Sequence, residues 1–165
     1  MKKILTILFM LMMVFMFSSA YGANKVQGIW KIESMDTGMG ENKTTKVPPA
    51  FMMFIGEKYY SSIRDFSDPP RKDFSSGTSG FMADAGTYEI KGDEFIVHHK
   101  VAMIANMMQE GSTMTFKFEM KGDNTLIMYP QYDKMNVPGM NIKPSPDGKM
   151  GYGDMAVKYV FKRVE

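Results

Sequence analysis

A period of two in side-chain character is the strongest constraint on what this chain can form. From Val26 to Met35 it reads Val-Gln-Gly-Ile-Trp-Lys-Ile-Glu-Ser-Met. Val26, Gly28, Trp30 and Ile32 fall on one face of an extended strand, and Gln27, Lys31 and Glu33 on the other, with Ile29 the exception. That is the pattern of a half-buried β-strand. Gly28 lets a backbone or a large ring lie close, and Trp30 brings a large apolar surface with an N–H that needs a partner.

The same period recurs, and no helical period is sustained after this strand. Short alternating runs separated by Gly, Pro, Asp and Asn predict an all-β sandwich or barrel. Strands are expected over Phe51–Ile55, Lys58–Arg64, Gly86–Lys91, Glu94–Met103, Ser112–Met120, Thr125–Tyr129 and Met155–Val164. Polar loops are expected over Asp36–Pro49, Ser67–Ser79 and Gln131–Asp154. Gly92-Asp93 and Gly122-Asp123 sit where tight hairpins need them. Parity places Phe95, Val97, His99, Val101 and Met103 on one inward face, and Met114, Phe116, Phe118 and Met120 on another. In the last strand Met155, Val157, Tyr159, Phe161 and Arg163 share the inward side. For Tyr60 and Arg64 the face stays open, because Tyr59, Ser61 and Ile63 are the competing inward set. About eight strands, each with one apolar face, close on themselves and leave no edge. Such a barrel is either filled by side chains or holds one small ligand.

Residues 1–23 are expected to be a cleaved signal peptide. Lys2 and Lys3 form the positive start, Ile4 to Phe17 an apolar run broken only by Thr6, and Ser18-Ser19-Ala20 the small residues before the cut. The cut point is open between 20 and 23. The run is short for a membrane span of about 20 residues, and no cysteine exists for lipid attachment. One domain is then expected over 24–165, exported to the periplasm or beyond the cell, with no membrane anchor after cleavage.

The chain carries 20 basic and 18 acidic side chains. Taking Lys2 and Lys3 from the 20 leaves 18 against 18, so the expected mature domain is neutral. No basic stripe remains to attract nucleic acid. Zero cysteines in an oxidising compartment mean no disulfide staples, and about 142 residues must rely on a packed core.

Several short stretches together resemble the bacterial lipocalin-like domain family, relatives of the calycin barrels. They are Gly28-Ile29-Trp30-Lys31, Gly56-Glu57-Lys58-Tyr59-Tyr60-Ser61, Ala85-Gly86-Thr87-Tyr88-Glu89-Ile90, Val97-His98-His99, and Gly111 with the Phe116–Met128 hairpin. The resemblance spans roughly residues 25 to 129. It implies an antiparallel lipocalin-like barrel of about eight strands with an apolar-ligand pocket. It also implies an arginine near the end of the last strand, packed across the first-strand tryptophan. Arg163 stands there, so Gly28, Trp30 and Arg163 are the expected barrel-closure residues, with a structural role.

The chemistry-bearing residues are few. His98 and His99 are adjacent, so on a strand they face opposite ways and cannot share one metal ion without a bulge. His99 falls inside, either as a satisfied core histidine or as an anchor for a ligand head group or a general base. No carboxylate of its own strand shares its face. Tyr88, His99, Met114, Phe116, Phe118 and Tyr159 are the candidate ligand-binding residues, each equally readable as barrel core. Asp65 to Asp73 matches no calcium loop, the glycine clusters match no phosphate loop, and no nucleophile-plus-base arrangement appears. No catalytic residue, metal ligand or cofactor is assigned.

Fifteen of the 20 methionines follow residue 23. Methionine fills irregular apolar space and adapts to varied ligands, replaces leucine in a core, or binds Cu(I) through its thioether. Three functions follow. The first is a carrier of a small apolar or amphipathic molecule. The second is an isomerase or cyclase resembling the allene-oxide-cyclase barrels, which work mainly by cavity shape. The third is a methionine-rich periplasmic Cu(I)-binding protein. The sequence says nothing of oligomeric state.

Overall fold

In a computed structural model the chain forms a closed antiparallel barrel. The structure describes residues 25–39, 42–48, 50–65, 80–139 and 155–164. The expected signal peptide and the expected loop over Ser67–Ser79 lie outside them, as does most of Gln131–Asp154.

Nine strands are formed among the described residues: β1 (Gly28–Met39), β2 (Asn42–Lys46), β3 (Ala50–Ile55), β4 (Tyr59–Asp65), β5 (Phe81–Lys91), β6 (Glu94–Ala102), β7 (Met114–Lys121), β8 (Thr125–Pro130) and β9 (Met155–Arg163). From β3 to β9 each strand pairs with the next, and β9 returns to β1. The ring therefore has eight strands, with β2 as an extra ribbon on the far half of β1. The antiparallel lipocalin-like barrel expected from the sequence is the architecture observed. Every neighbour is joined antiparallel, so no ring strand exposes an unpaired edge along its whole length.

Closure has a local cause. β1 pairs with β3 only over Gly28–Lys31, but with β9 from Trp30 to Met39. A bulge at Glu33 shifts the β1–β9 register. Beyond it β1 leaves β3 and takes β2 as its partner over Met35–Met39. Bulges bend and twist a strand in this way. The two Gly-Asp junctions are tight turns, with Gly92 and Gly122 at φ 63° and 62°.

Three expectations are corrected. Asp36–Pro49 is not a loop: β1 runs on to Met39 and β2 follows. Thr45 donates to the Asp36 carboxylate and Lys158 of β9 pairs with it, so polar cross-strand pairs replace apolar alternation. β5 starts at Phe81 rather than Gly86, because its inward residue Asp84 is charged and masks the alternation. Val101 and Met103 are not inward; they are 64% and 52% exposed. Gly86 pairs with His99 and Ala85 with Val101, so Lys100 is an inserted residue and the parity of β6 resets there.

Gly86 sits opposite that insertion. A Cβ on it would lie 2.0 Å from the His98 carbonyl oxygen and 2.9 Å from its carbon. The bulge and the glycine thus require one another.

The core fills the end of the barrel where β1 starts and β9 finishes. Val26, Trp30, Leu126 and Phe161 are fully buried there. Ile55, Ile90, Phe118 and Met120 belong to the same cluster. The Trp30 Nε1–H donates to the Val26 carbonyl at 2.7 Å, which removes the cost of burying it. A smaller cluster of Met107 and Val137 packs beside the far end.

Candidate functional site

The interior is not filled along its whole length. A cavity is lined by Phe51 and Met53 of β3, by Tyr60, Ser62 and Arg64 of β4, and by Asp84 of β5. Phe95, Val97 and His99 of β6, Met114 and Phe116 of β7, Met128 of β8, and Tyr159 and Phe161 of β9 complete it. The volume open to the centre of a water molecule is about 30 Å³. One water needs roughly 10–15 Å³, so the enclosed part takes about two. The wider concavity around it, open solvent included, spans about 400 Å³.

The cavity has two unlike walls. Three consecutive strands, β4, β5 and β6, bring Tyr60, Ser62, Arg64, Asp84 and His99 inward. The facing strands bring aromatic and methionine side chains. Phe51 packs edge-on against Tyr159 at 5.5 Å and Phe161 at 4.9 Å. The Arg64 guanidinium lies 5.7 Å from the Phe51 ring and links the two walls.

Asp84 organises the polar wall. Its side chain is 5% exposed and that of His99 is 1% exposed. Ser62 donates to Asp84 Oδ1. Arg64 Nη2 donates to Asp84 Oδ2 at 3.1 Å, and His99 Nε2 lies 3.4 Å from the same oxygen. Burial by itself raises the Asp84 pKa. The His99 hydrogen bond, the Arg64 charge and the Ser62 hydroxyl outweigh it and hold the carboxyl below the usual carboxylate range. Asp84 is therefore ionised at neutral pH. Tyr60 moves the other way: burial, then the Asp84 charge, push its phenol well above the ordinary tyrosine value. Its hydroxyl stays protonated.

Three polar atoms on this wall are buried and have no hydrogen-bond partner among the described residues: Tyr60 Oη, Arg64 Nε and His99 Nδ1. Each such atom costs roughly 1–3 kcal/mol. All three belong to residues that line the cavity, so its polar wall has hydrogen-bonding capacity to offer to what fills it.

Of the candidate ligand-binding residues, His99, Met114, Phe116 and Tyr159 line the cavity. Tyr88 and Phe118 are not part of its lining. Tyr88 stacks on Phe95 at 4.7 Å and donates to the Gly56 carbonyl at 2.8 Å, so it plugs the closed end. Phe118 pairs with Met128 towards the same end, and its backbone N–H is held by Asp93. His98 faces outward to Glu89 at 3.3 Å.

The sequence reading missed Asp84, Ser62 and Arg64 as a group. The available signal is the strict alternation Tyr60, Ser62, Arg64 on β4, whose face the sequence alone leaves open. At the closed end the Arg163 guanidinium lies 4.2 Å from the Trp30 ring centroid. Arg163 also donates to the carbonyls of Lys25, Gln27 and Asp123. Gly28 sits at φ 140°, a conformation that favours glycine, so its backbone needs this residue type.

No protein-family model matches this chain, and no curated protein matches it. Among solved structures it is similar to a lipocalin-like protein from Bacteroides uniformis. The identity is 14%, 84% of this chain and 98% of that one are covered, and the TM-score is 0.45. It is also similar to an uncharacterized protein from Bacteroides eggerthii at 15% identity, covering 83% and 98%, with a TM-score of 0.43. The fold rests on the strand order and on the contact between first and last strands. By those, this chain has a lipocalin-like barrel fold: eight antiparallel strands, each paired with the next and closed between first and last.

Proposed function

We propose that the protein is an exported carrier that holds one small amphipathic molecule in the barrel cavity. One observation carries this reading. Three unpartnered polar atoms lie on the β4–β5–β6 wall, opposite an aromatic and methionine wall. A ligand with a polar edge and an apolar body satisfies both sides at once. An all-apolar ligand leaves the three atoms unpaired, and bulk water alone leaves the aromatic wall wet. The apolar run at residues 4–17, with Lys2 and Lys3 before it, supports export.

Native mass spectrometry of the protein purified from its own host tests the carrier reading. The expected spectrum shows a stoichiometric small-molecule adduct that disappears in Met128→Trp, which fills the cavity. An empty wild-type protein, with the barrel folded, sinks the reading.

A second reading has one observation in its favour. Met53, Met114 and Met128 line the same cavity as His99, whose Nδ1 has no partner among the described residues. Thioethers and imidazole are ligands for Cu(I). Cu(I) titration of the wild type and of Met114→Leu separates the two readings. Equal affinity in both removes copper.

A further inference from the structure

The outer wall of the barrel is not polar all round. β7 turns Lys117 and Glu119 outward, and β9 turns Lys158 and Lys162 outward. β3 is different: Ala50-Phe51-Met52-Met53-Phe54-Ile55 is apolar without a break. Strands of that composition are ordinarily covered on both faces. Phe51, Met53 and Ile55 are buried inside, which leaves Met52 and Phe54 to face outward. β4 repeats the pattern with Tyr59 and Ile63 outside. Apolar residues on both its faces are the reason that parity leaves its inward side open.

The strand registers join these side chains into one patch. Ile29, Phe54, Ser61, Ala85 and Val101 follow one another across β1, β3, β4, β5 and β6. Met52, Ile63 and Ala83 form the next row. The Met103 N–H donates to the Ala83 carbonyl at 3.2 Å, which puts Met103 at the end of that row. Tyr59 stands two residues along β4 from Ser61. Of the eight large apolar side chains exposed among the described residues, five lie here: Phe54, Tyr59, Ile63, Val101 and Met103, between 37% and 64% exposed. Apolar residues scattered singly over a surface are ordinary, and a contiguous set is not. Their exposed parts come to roughly 500 Å², near the upper end of the roughly 300–600 Å² that a monomer's largest patch spans.

We propose that this outer face of β3–β6 is the interface of a symmetric homodimer. Area favours a second copy. With the partly exposed residues between and beside the five, Lys31 and Lys100 included, the wall offers roughly 800 Å², the share that one partner gives to a standard interface. Shape favours it too. Ala83 and Ala85 make a shallow groove on β5, walled by Ile63 on β4 and by Val101 and Met103 on β6. A two-fold axis lays Ile63 of each copy into that groove of the other, and an isologous contact needs knob and groove on the same surface. Charge does not oppose the pairing. Residues 24–165 hold 18 basic side chains (20 less Lys2 and Lys3) and 18 acidic ones, so two copies carry no net repulsion. The five residues lie flush with the barrel wall, which suits a second flat wall better than a bilayer, into which an amphipathic helix sinks. The same strands turn Tyr60, Ser62 and Asp84 inward, so the interface backs onto the polar wall and leaves the cavity as it is.

Sedimentation velocity of the protein purified from its own host, at about 50 μM, is expected to show a dimer with a Kd of about a micromolar or tighter. Ile63→Lys and Val101→Glu each bring a charge into the contact twice, once from each copy. Each is expected to weaken the dimer at least about hundredfold. Both positions are exposed in the single barrel, so both variants are expected to keep the wild-type circular dichroism spectrum; if one does not fold, the other decides. Glu119→Lys, on the polar outer face of β7, is expected to leave the dimer unchanged. A wild-type monomer at that concentration, or a dimer that survives both variants, overturns the proposal. So does a monomer that co-sediments with vesicles of phosphatidylcholine and phosphatidylglycerol and loses them in Val101→Glu, which assigns the face to lipid. None of these results bears on the carrier reading, which the native-mass adduct decides.

Discussion

The Arg163 guanidinium lies 4.2 Å from the centre of the Trp30 ring, and so ties the last strand of the barrel to the first. The same side chain serves the carbonyls of Lys25, Gln27 and Asp123. Those carbonyls belong to the chain entering β1 and to the β7–β8 turn. Arg163→Ala removes the stacked cation and three hydrogen bonds. We expect a loss of roughly 2–4 kcal/mol, read from the urea midpoint. Arg163→Lys should recover little, because an ammonium has no planar fork to spread over three carbonyls and a ring. Wild-type stability in the lysine variant would show that the fork is dispensable.

Gly86→Ala is expected to be among the most damaging conservative changes in the barrel. The added methyl meets the backbone of His98, which cannot rotate away. We expect a loss of about 3 kcal/mol or more, and displacement of His99 from Asp84. Thermal unfolding measures the first effect, and the His99 ring resonances in NMR report the second. Unchanged resonances would break the link between this glycine and the site.

Asp84→Asn leaves Arg64 as a buried cation without its partner. A loss of roughly 3–5 kcal/mol at neutral pH is expected. The acid limb of stability carries the same signature. The Asp84 pKa is lower in the folded protein than its ordinary 3.8. Its contribution is complete above about that value and is lost as pH falls through the lower folded value. Chemical unfolding from pH 5 downward should show a steeper decline in the wild type than in Asp84→Asn.

Tyr60→Phe should separate stability from binding. Removing an unpartnered buried hydroxyl is expected to be neutral or to stabilise by about 1 kcal/mol. The tyrosine pKa is raised in the fold, so its contribution is complete below about 10 and is lost as pH rises further. The phenylalanine variant should therefore lose less stability above pH 10. Its ligand affinity should fall. A variant that binds as well as the wild type would remove Tyr60 from the polar wall's work.

The barrel was legible in the sequence because apolar alternation writes it directly: Phe95-Ile96-Val97 and Met114 to Met120 have one reading as strands. Legibility failed wherever polar residues form the ladder, as in Asp36 with Thr45 and Lys158. It failed again at Lys100, where a single inserted residue reverses every later side chain of β6. The site was half visible. His99 and Tyr159 follow from parity alone. Asp84 and Arg64 do not, since a charged residue in a strand reads as outward until its partner is known. That partner is 20 residues away on another strand. Apolar pattern thus reveals the walls of such a cavity, while its polar anchors depend on pairings that only the folded register makes.

The most direct measurement is the electron density inside the barrel of protein crystallised as purified from its own host. The account predicts a bound molecule with oxygen atoms about 3 Å from Tyr60 Oη, Arg64 Nε and His99 Nδ1, and its apolar body against Phe51 and Phe161. An interior repacked by Met53, Met114 and Met128, with those three polar atoms bonded to other protein groups, would contradict it.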